Sequence, residues 1–412
     1  MELGWVHINR NDRNRVYNAL KALGENATLD ELGIGKIRDY FSNQFFPGII
    51  TNQTRAHYFI ILSNLFEDAI YESIASSERL QSWLDERQDK LVDRFYKKYK
   101  ENNEAFRLGI IGIQNYRQKK QSKQKPLDVY WSGLKRYGII HDDEDNFFQN
   151  LLNYIDQKNE ISDFNGTSSN GSEDSQYEPD NESDRDEFFP PTGCWTSDWE
   201  KKIDMKKLSK KEAEFLYQRI TESCPNSLLA LILKYYYNHK SKIDARSQIA
   251  FYSFNDIPRE IFADNAEISQ TYDLAIQFQT FYSGCQLTYA YLISGETDEN
   301  VKNKFDDWIN NKKQEWENVP IEEICNRTKA DPNTRRFLDK AKRYALENAP
   351  ESREKFKMLI IDREKELKKA RAKIGKSNQN KAVGLLDYRA NTAKRIIQDI
   401  LIGLKQEEIE LD

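Results

Sequence analysis

The chain has 412 residues, of which 62 are Lys or Arg and 67 are Asp or Glu, so its formal net charge is −5. A content of 38% hydrophobic and 31% charged residues is typical of a folded protein with some polar excess. The longest apolar runs fall short of the roughly 18 residues that a membrane span needs, and the N-terminus lacks a basic start followed by an apolar run. We therefore expect a cytoplasmic protein without membrane segment or secretory signal.

The cysteines and histidines argue against the common metal sites. Cys194, Cys224, Cys285 and Cys325 form no CxxC pair, and the four histidines form no HExxH motif. Zinc and iron–sulfur sites usually take their ligands from such close pairs. We assign no metal ligand, no cofactor and no catalytic residue, although a site built from carboxylates alone stays open.

The first 160 residues are predicted to be mainly helical. Thr28 and Glu31 form a capping-box pattern, and Phe46-Pro47-Gly48 stops the helix that follows, because Pro cannot continue it and Gly accepts a left-handed turn. Short strands are expected at residues 5–8 and 109–112. The predicted helices of this part are 32–45, 51–76, 78–106 and a short one that begins at Asp128 and ends at Gly138.

An acidic linker is predicted at residues 161–190. Between residues 163 and 187 nine acids stand against Arg185 alone, a net charge of −8. Few apolar residues and a run of like charge cannot offset the entropy cost of ordering. Without this segment, the rest of the chain carries a net charge of +3.

Helical patterns are stronger after the linker. Ser209 and Glu212 form a second capping box, and apolar residues between 301 and 316 follow an amphipathic period. Further helices are predicted at 227–237, 334–347 and, in one or two pieces, 352–404. The fold class is therefore mainly α, with few short strands and with two helical domains (1–160 and 191–412) joined by the disordered linker.

Two motifs look like enzyme signatures but lack essential parts. Gly33 and Gly35 resemble a phosphate-binding loop, yet Ile37 stands where such a loop needs Ser or Thr for magnesium. Asp180 followed by Glu200-Lys201-Lys202 matches the spacing of a nuclease motif, but Asp180 lies in the predicted linker and not in a rigid core.

Two basic stretches give the most informative signal. Residues 97–125 have a net charge of +7 and residues 363–405 a net charge of +8, with Tyr99, Phe106 and Tyr116 among the bases of the first. Such stretches suit a polyanionic partner, although Lys-rich helices can also be merely solvated faces. The candidate nucleic-acid contacts are Lys97, Lys98, Lys100, Arg117, Lys119, Lys120, Lys368, Lys369, Arg371, Lys373, Arg389, Lys394 and Arg395.

Several motifs resemble an uncharacterised bacterial family, catalogued only as a domain of unknown function. They are LDELGIGKIRD at residues 29–39, Phe46-Pro47-Gly48, and QTRA at residues 53–56, with further similar stretches over nearly the whole chain. His57 departs from the pattern, because Arg is expected before Tyr-Phe. The resemblance implies no catalytic residue. It does imply an association with helicase and phospholipase-D-like nuclease genes in bacterial defence clusters.

Arg38 and Arg55 flank the Phe-Pro-Gly turn and are also candidate contacts. Two guanidinium groups beside a helix N-terminus could bind an anion. Alternatively, one of them pairs with Glu31 or Asp39 and locks two helices together. Helix–turn–helix geometry around residues 46–48, or a small helical reader at residues 126–139, is also compatible with the pattern.

The sequence thus favours a non-enzymatic helical accessory subunit. We expect it to contact DNA or RNA in a salt-sensitive manner and to partner a helicase or nuclease, in antiviral defence. Two alternatives stay open: a protein–protein scaffold without nucleic-acid contact, and a nuclease or other hydrolase with an unrecognised carboxylate site.

Overall fold

The computed structural model describes residues 32–74, 76–120, 124–141, 144–167, 188–189, 192–239, 251–376 and 383–405. Within these ranges the chain is helical and contains no β-strand, which confirms the mainly α class. The strand predicted at 109–112 is wrong. Gly109 and Gly112 have φ angles of 68° and 86°, and this left-handed conformation makes a turn that a strand cannot follow. The strand predicted at 5–8 lies outside the described residues.

Four helices were predicted for the first part of the chain, and its described residues form seven α-helices; the predicted ones occur in the expected order but begin and end differently. The second one starts after residues 53–56 because the amides of Thr54 and Arg55 donate to the hydroxyl of Tyr130, at 2.8 and 3.0 Å. The third is capped by Ser76. These helices are α1 (Gly35–Phe45), α2 (His57–Tyr71), α3 (Ser77–Lys98), α4 (Glu104–Arg107), α5 (Ile113–Arg117), α6 (Pro126–Arg136) and α7 (Glu144–Thr167).

The capping box at Ser209 is confirmed in the second half of the chain. The Ser209 hydroxyl accepts from the Glu212 amide at 3.3 Å, and the Glu212 carboxylate accepts from the Ser209 amide at 2.8 Å. The helices are α8 (Trp199–Lys202), α9 (Lys210–Ser223), α10 (Leu228–Asn238), α11 (Ala266–Ile293), α12 (Glu299–Asn310), α13 (Lys313–Trp316), α14 (Ile321–Thr328), α15 (Pro332–Glu347), α16 (Pro350–Lys368) and α17 (Ala390–Leu404).

The chain forms two compact units, each assembled from separate segments. The first unit combines residues 1–40 with 273–386, and the second combines 41–272 with 387–412. The predicted linker, 161–190, falls within the second unit, and α7 covers its first residues. Most of that linker lies outside the described residues, so its disorder stays a prediction.

The second unit is organised around α2, in which 13 of 15 residues are buried. Helix α6 packs against α2, and the rings of Phe59 and Tyr130 meet edge to face with centroids 4.9 Å apart. Helix α17 packs against α9 and α10. A recognition helix must present side chains to a DNA groove, and this buried α2 presents almost none, so the helix–turn–helix hypothesis around residues 46–48 finds no support. The segment 126–139, with α6, stays open.

The first unit has its own aromatic core. Trp308 and Trp316 stack with ring centroids 4.5 Å apart, and the Trp308 indole donates to the Thr280 carbonyl at 2.7 Å. Helix α15 packs against both α14 and α16. Among the helices of the described residues, none has the length and apolar character needed to cross a membrane.

Candidate nucleic-acid interface

A cleft of about 510 Å³ lies between α3 and the α5 segment of the second unit. We call it the α3–α5 cleft. Three of the predicted nucleic-acid contacts, Arg117, Lys119 and Lys120, line this cleft. The lining residues are Asp89, Val92 and Tyr96 of α3, with Gly112, Tyr116, Arg117, Lys119 and Lys120 from α5 and its flanks.

The three cations of the cleft are placed by the way in which α5 ends. Lys119 is left-handed, with a φ of 54°, and its amide donates to the Tyr116 carbonyl at 3.0 Å. The Lys120 amide donates to the Asn115 carbonyl at 2.8 Å. This C-terminal turn directs the chain so that Arg117, Lys119 and Lys120 all lie at the carboxyl end of α5, where the backbone dipole favours positive charge.

Two tyrosines supply the aromatic part of the lining. The ring centroids of Tyr96 and Tyr116 are 5.1 Å apart, and their planes are inclined by 51°. The Tyr116 hydroxyl donates to Asp93, which also accepts from Lys97 at 2.7 Å. The hydrogen bond to Asp93 raises the pKa of Tyr116, so the hydroxyl stays protonated and the ring is held in place.

The cleft lining has an excess of positive charge. Arg117, Lys119 and Lys120 are exposed, and within the described part of the chain no carboxylate forms an ion pair with any of them. Arg117 donates to the Asn103 side-chain amide oxygen at 3.2 Å. The one carboxylate of the lining, Asp89, pairs with Lys125. An anion entering the cleft would therefore meet three cations that have no carboxylate partner among the described residues.

Three further predicted contacts, Lys97, Lys98 and Lys100, are exposed at and just beyond the end of α3. The Lys98 ammonium donates to the Ile203 carbonyl at 2.8 Å, and the Tyr99 hydroxyl donates to Asp204 at 2.6 Å. These bonds hold the segment that follows α8 against the end of α3. The predicted cationic surface is therefore larger than residues 97–125.

Four lysines in and just after α8, and one aromatic residue of the cleft, were not among the predicted contacts. Lys201, Lys202, Lys206 and Lys207 are all exposed, although Lys202 and Lys206 pair with Asp198 and Glu104 at 2.8 and 2.9 Å. The two Lys-Lys pairs, 201–202 and 206–207, are visible in the sequence and could have indicated this part of the cationic surface. Tyr96 has no such signal, because only the fold shows that it faces Tyr116.

The second basic stretch is divided between the two units. In the first unit Lys368 is buried, with 4% of its surface exposed, and its ammonium lies 3.2 Å from Glu364 and 2.8 Å from the Tyr289 hydroxyl. Its assignment as a nucleic-acid contact is therefore corrected: the side chain neutralises a buried carboxylate. By contrast, Lys369, Arg371 and Lys373 are exposed around a short 3₁₀ helix, Lys369–Arg371.

The other part of this stretch, in the second unit, is partly engaged in the fold. Arg389 donates to the Ile49 carbonyl at 2.8 Å, and Arg395 donates to the Gln53 carbonyl at 3.3 Å. The Lys394 ammonium lies 5.0 Å from the centre of the Tyr252 ring. The two arginine contacts hold the start of α17 against residues 49–53, and Arg395 is still exposed.

The structure favours the helix-locking alternative for Arg55, with a different partner from those expected. Its guanidinium lies 2.7 Å from Asp399, which also accepts from the Ala56 amide at 2.8 Å. Burial alone would raise the pKa of Asp399, but His57 and Arg55 outweigh it and hold that pKa below its usual value. Arg38, which belongs to the first unit, pairs with its neighbour Asp39 at 3.4 Å.

The buried carboxylates have structural partners. Asp68 pairs with Arg87 at 2.8 Å and accepts from two indoles, while Glu364 and Asp399 pair with Lys368 and Arg55. Glu200, from the nuclease-like spacing, pairs with Arg94 at 2.9 Å, and Asp180 lies outside the described residues. Among the residues that the structure describes, no three His, Cys, Asp or Glu side chains are grouped to hold a metal ion.

The four cysteines are free, and burial raises the pKa of every thiol, that of Cys194 to about 12. Because the thiolate is the reactive form, their surroundings do not activate a nucleophile.

Comparison with known proteins shows that part of the chain is similar to a family. Residues 1–172, less than half of the chain, match the model of a "Family of unknown function (DUF6361)". The match confirms, for that part of the chain, the predicted resemblance to an uncharacterised family, and it includes the whole α3–α5 cleft. No curated protein and no solved structure matches the chain.

Proposed function

We propose that this chain is a non-enzymatic accessory subunit that binds nucleic acid. Its residues 1–172 match a family of unknown function. In this proposal it partners a helicase or nuclease in bacterial defence against phage. The α3–α5 cleft and the exposed lysines at the end of α3 form the binding surface.

The observation that carries the proposal is the composition of the cleft. Three exposed cations without a carboxylate partner in the described part of the chain converge there with two tyrosine rings. Phosphate binds cations of this kind, and the release of counterions adds to the affinity. Aromatic rings beside them offer stacking surfaces to bases. A solvated lysine face needs neither the concave shape nor the tyrosines.

The neighbouring lysines extend the same surface. Lys98 and Tyr99 hold residues 203–205 against the end of α3, and this places Lys201, Lys202, Lys206 and Lys207 in the segment beside it. A backbone with regularly spaced phosphates can engage several such cations at once. The proposal therefore assigns phosphate contacts to this segment as well.

The protein–protein scaffold is the second candidate, because an acidic partner could bind the same cations. The two candidates differ in what competes for the surface. Binding of a helicase or nuclease partner that survives nuclease treatment, by a chain that fails to bind oligonucleotides, would favour the scaffold.

Fluorescence anisotropy of the full chain with labelled oligonucleotides tests the proposal. The variant Arg117→Gln, Lys119→Gln, Lys120→Gln removes the three cations of the cleft. Its matched control is Arg336→Gln, Lys340→Gln, Lys355→Gln, which removes the same charge from exposed positions of α15 and α16. We expect the cleft variant to lose about tenfold or more in affinity at low salt and the control to lose little.

Absence of binding by the wild type at low salt would refute the nucleic-acid contact. Equal losses in the two variants would refute the assignment of the cleft, because net charge alone would then explain the binding. Melting temperatures of both variants show whether the fold is intact.

A further inference from the structure

We infer that the α3–α5 cleft accepts an unstacked base, so that the protein binds single-stranded nucleic acid in preference to a duplex. This inference rests on the proposed function, and it adds the class of nucleic acid.

The size of the cleft limits what it can accept. A volume of about 510 Å³ is in the usual range of small-molecule sites, roughly 300–1,000 Å³. A base with its sugar fits such a space, whereas the stacked and paired bases of a duplex would have to be extruded first. Extrusion costs a few kcal/mol for each base, and single strands avoid that cost.

The tyrosines give the base a surface on which to stack. Tyr96 and Tyr116 both line the cleft, and their planes are inclined by 51°, so the two rings do not stack face to face on each other. The bond from the Tyr116 hydroxyl to Asp93 fixes one ring before any ligand arrives. A fixed ring loses little conformational entropy on binding.

The charges of the lining set the orientation of the ligand. Arg117, Lys119 and Lys120 lie on the α5 side, and the carboxylate of Asp89 lies on the α3 side. A phosphate is attracted to the first side, whereas on the second side Asp89 is paired with Lys125 and offers no net positive charge. The base is therefore directed toward α3, where Tyr96 lies about two turns from Asp89. Both DNA and RNA strands carry these groups, so the chemistry applies to either.

The test compares a labelled single strand of about 12 nucleotides with a duplex of the same length, as DNA and as RNA. The variants are Tyr116→Leu and Tyr96→Leu, which remove a stacking ring, and Tyr116→Phe, which keeps the ring and loses only the bond to Asp93. Tyr71→Leu is the control, because Tyr71 is 65% exposed and lies outside the cleft lining.

We expect each Leu variant of the cleft to bind single strands about 5- to 100-fold more weakly, with duplex binding nearly unchanged. Tyr71→Leu should bind like the wild type, and Tyr116→Phe, which keeps the ring but loses the bond that fixes it, should lose clearly less affinity than Tyr116→Leu. If a duplex binds the wild type as tightly as a single strand does, or if the Leu variants of the cleft retain full affinity, the inference is wrong. In that case a loss of affinity in the Arg117, Lys119 and Lys120 variant would still support the proposed function. No binding of any strand would refute both.

Discussion

The guanidinium of Arg55 lies 2.7 Å from the carboxylate of Asp399, and this ion pair joins the residues before α2 to the middle of α17. Both side chains are largely removed from solvent, with 16% and 6% exposed. The same carboxylate accepts from the Ala56 amide, so it also satisfies a backbone donor at the start of α2. Arg55 is thus a structural residue in a motif whose polar sequence indicated binding.

Arg55→Met should destabilise the second unit strongly. The change leaves the Asp399 carboxylate buried without its cation, and the loss of one partner of a buried pair costs about 3 kcal/mol. Arg38→Met is the comparison, because Arg38 and Asp39 are neighbours in the chain whose side chains keep 36% and 47% of their surface exposed, and such a pair should contribute about 0.5 kcal/mol or less. Urea denaturation followed by circular dichroism measures both. Equal unfolding midpoints for the two variants would contradict the structural role of the Arg55 pair.

The contribution of Asp399 should disappear at acidic pH. Its pKa is lower in the folded protein than in the unfolded chain, where an Asp titrates at about 3.9. The stabilisation is therefore complete above about pH 5 and is lost as the pH falls through the unfolded and then the folded pKa. The difference in urea midpoint between the wild type and Asp399→Asn should shrink from pH 7 to pH 4. A constant difference would show that the charge of Asp399 is not what stabilises the fold.

Substitution of Lys368 should lower the stability of the protein strongly, whereas substitution of the adjacent Lys369 should not. Lys368→Met leaves Glu364 buried without a cation and should destabilise the first unit by about 3 kcal/mol. Lys369 is exposed, so Lys369→Met should change stability by less than about 0.5 kcal/mol. Thermal unfolding of the two variants distinguishes them, and a harmless Lys368→Met would mean that this buried pair is not formed.

Gly133→Ala should weaken the packing of α6 against α2. A Cβ atom at Gly133 would lie 2.7 Å from the Phe59 ring and 3.0 Å from the Gly48 carbonyl oxygen. Overpacking of this kind costs about 1–3 kcal/mol. Gly384→Ala is the control, because a Cβ there meets nothing within 4 Å. The melting temperature should fall only for the first variant, and an unchanged value would show that α6 is not held this close to α2.

The dependence of the binding affinity on salt concentration should show how many phosphates the cleft binds. Three phosphate contacts on a single strand give a slope of about −2 in a plot of log affinity against log salt concentration. Between about 50 and 200 mM salt, the wild type should therefore lose roughly 20-fold in affinity through these three contacts alone. The Arg117, Lys119 and Lys120 variant should have a slope that is shallower by about 2. Parallel slopes would place the phosphate contacts elsewhere.

Local signals predicted much of the helical order. The capping box at Ser209 defines the start of α9, and the turn at Pro47 and Gly48 ends α1 near its predicted place, because such signals depend on neighbours in sequence. The prediction of one helix over 51–76 was too long at its start. There the backbone amides bind Tyr130 and Asp399, and both partners are distant in sequence.

Periodicity is also uninformative where a helix is buried on several sides. Helix α11, Ala266–Ile293, is the longest helix of the described residues, yet the pattern did not reveal it. Tyr272, Phe278 and Leu287 are all buried, although Phe278 and Leu287 are nine residues apart and therefore lie on opposite faces of the helix. An amphipathic stripe requires one polar face, and this helix has no such face along most of its length.

The sequence predicted the positive charge of the candidate site but not the shape of the cleft. The bases of residues 97–125 are visible in the sequence, and three of them do line a cleft. The shape of the cleft depends on Gly112 and Lys119, which both have left-handed backbone conformations. Only glycine adopts this conformation readily, so the sequence indicates a turn at Gly112 but not at Lys119. The burial of Lys368 was hidden for a related reason, since its partner Tyr289 lies on another helix.

The segmented make-up of the second unit also bears on how the chain is synthesised. Helices α9 and α10 pack against α17, but residues 273–386 of the other unit are translated in between. During translation, the apolar faces of α9 and α10 therefore stay uncovered until α17 has been synthesised. We expect nascent chains that stop before Ala390 to need chaperones, even when every residue of the α3–α5 cleft has already been made.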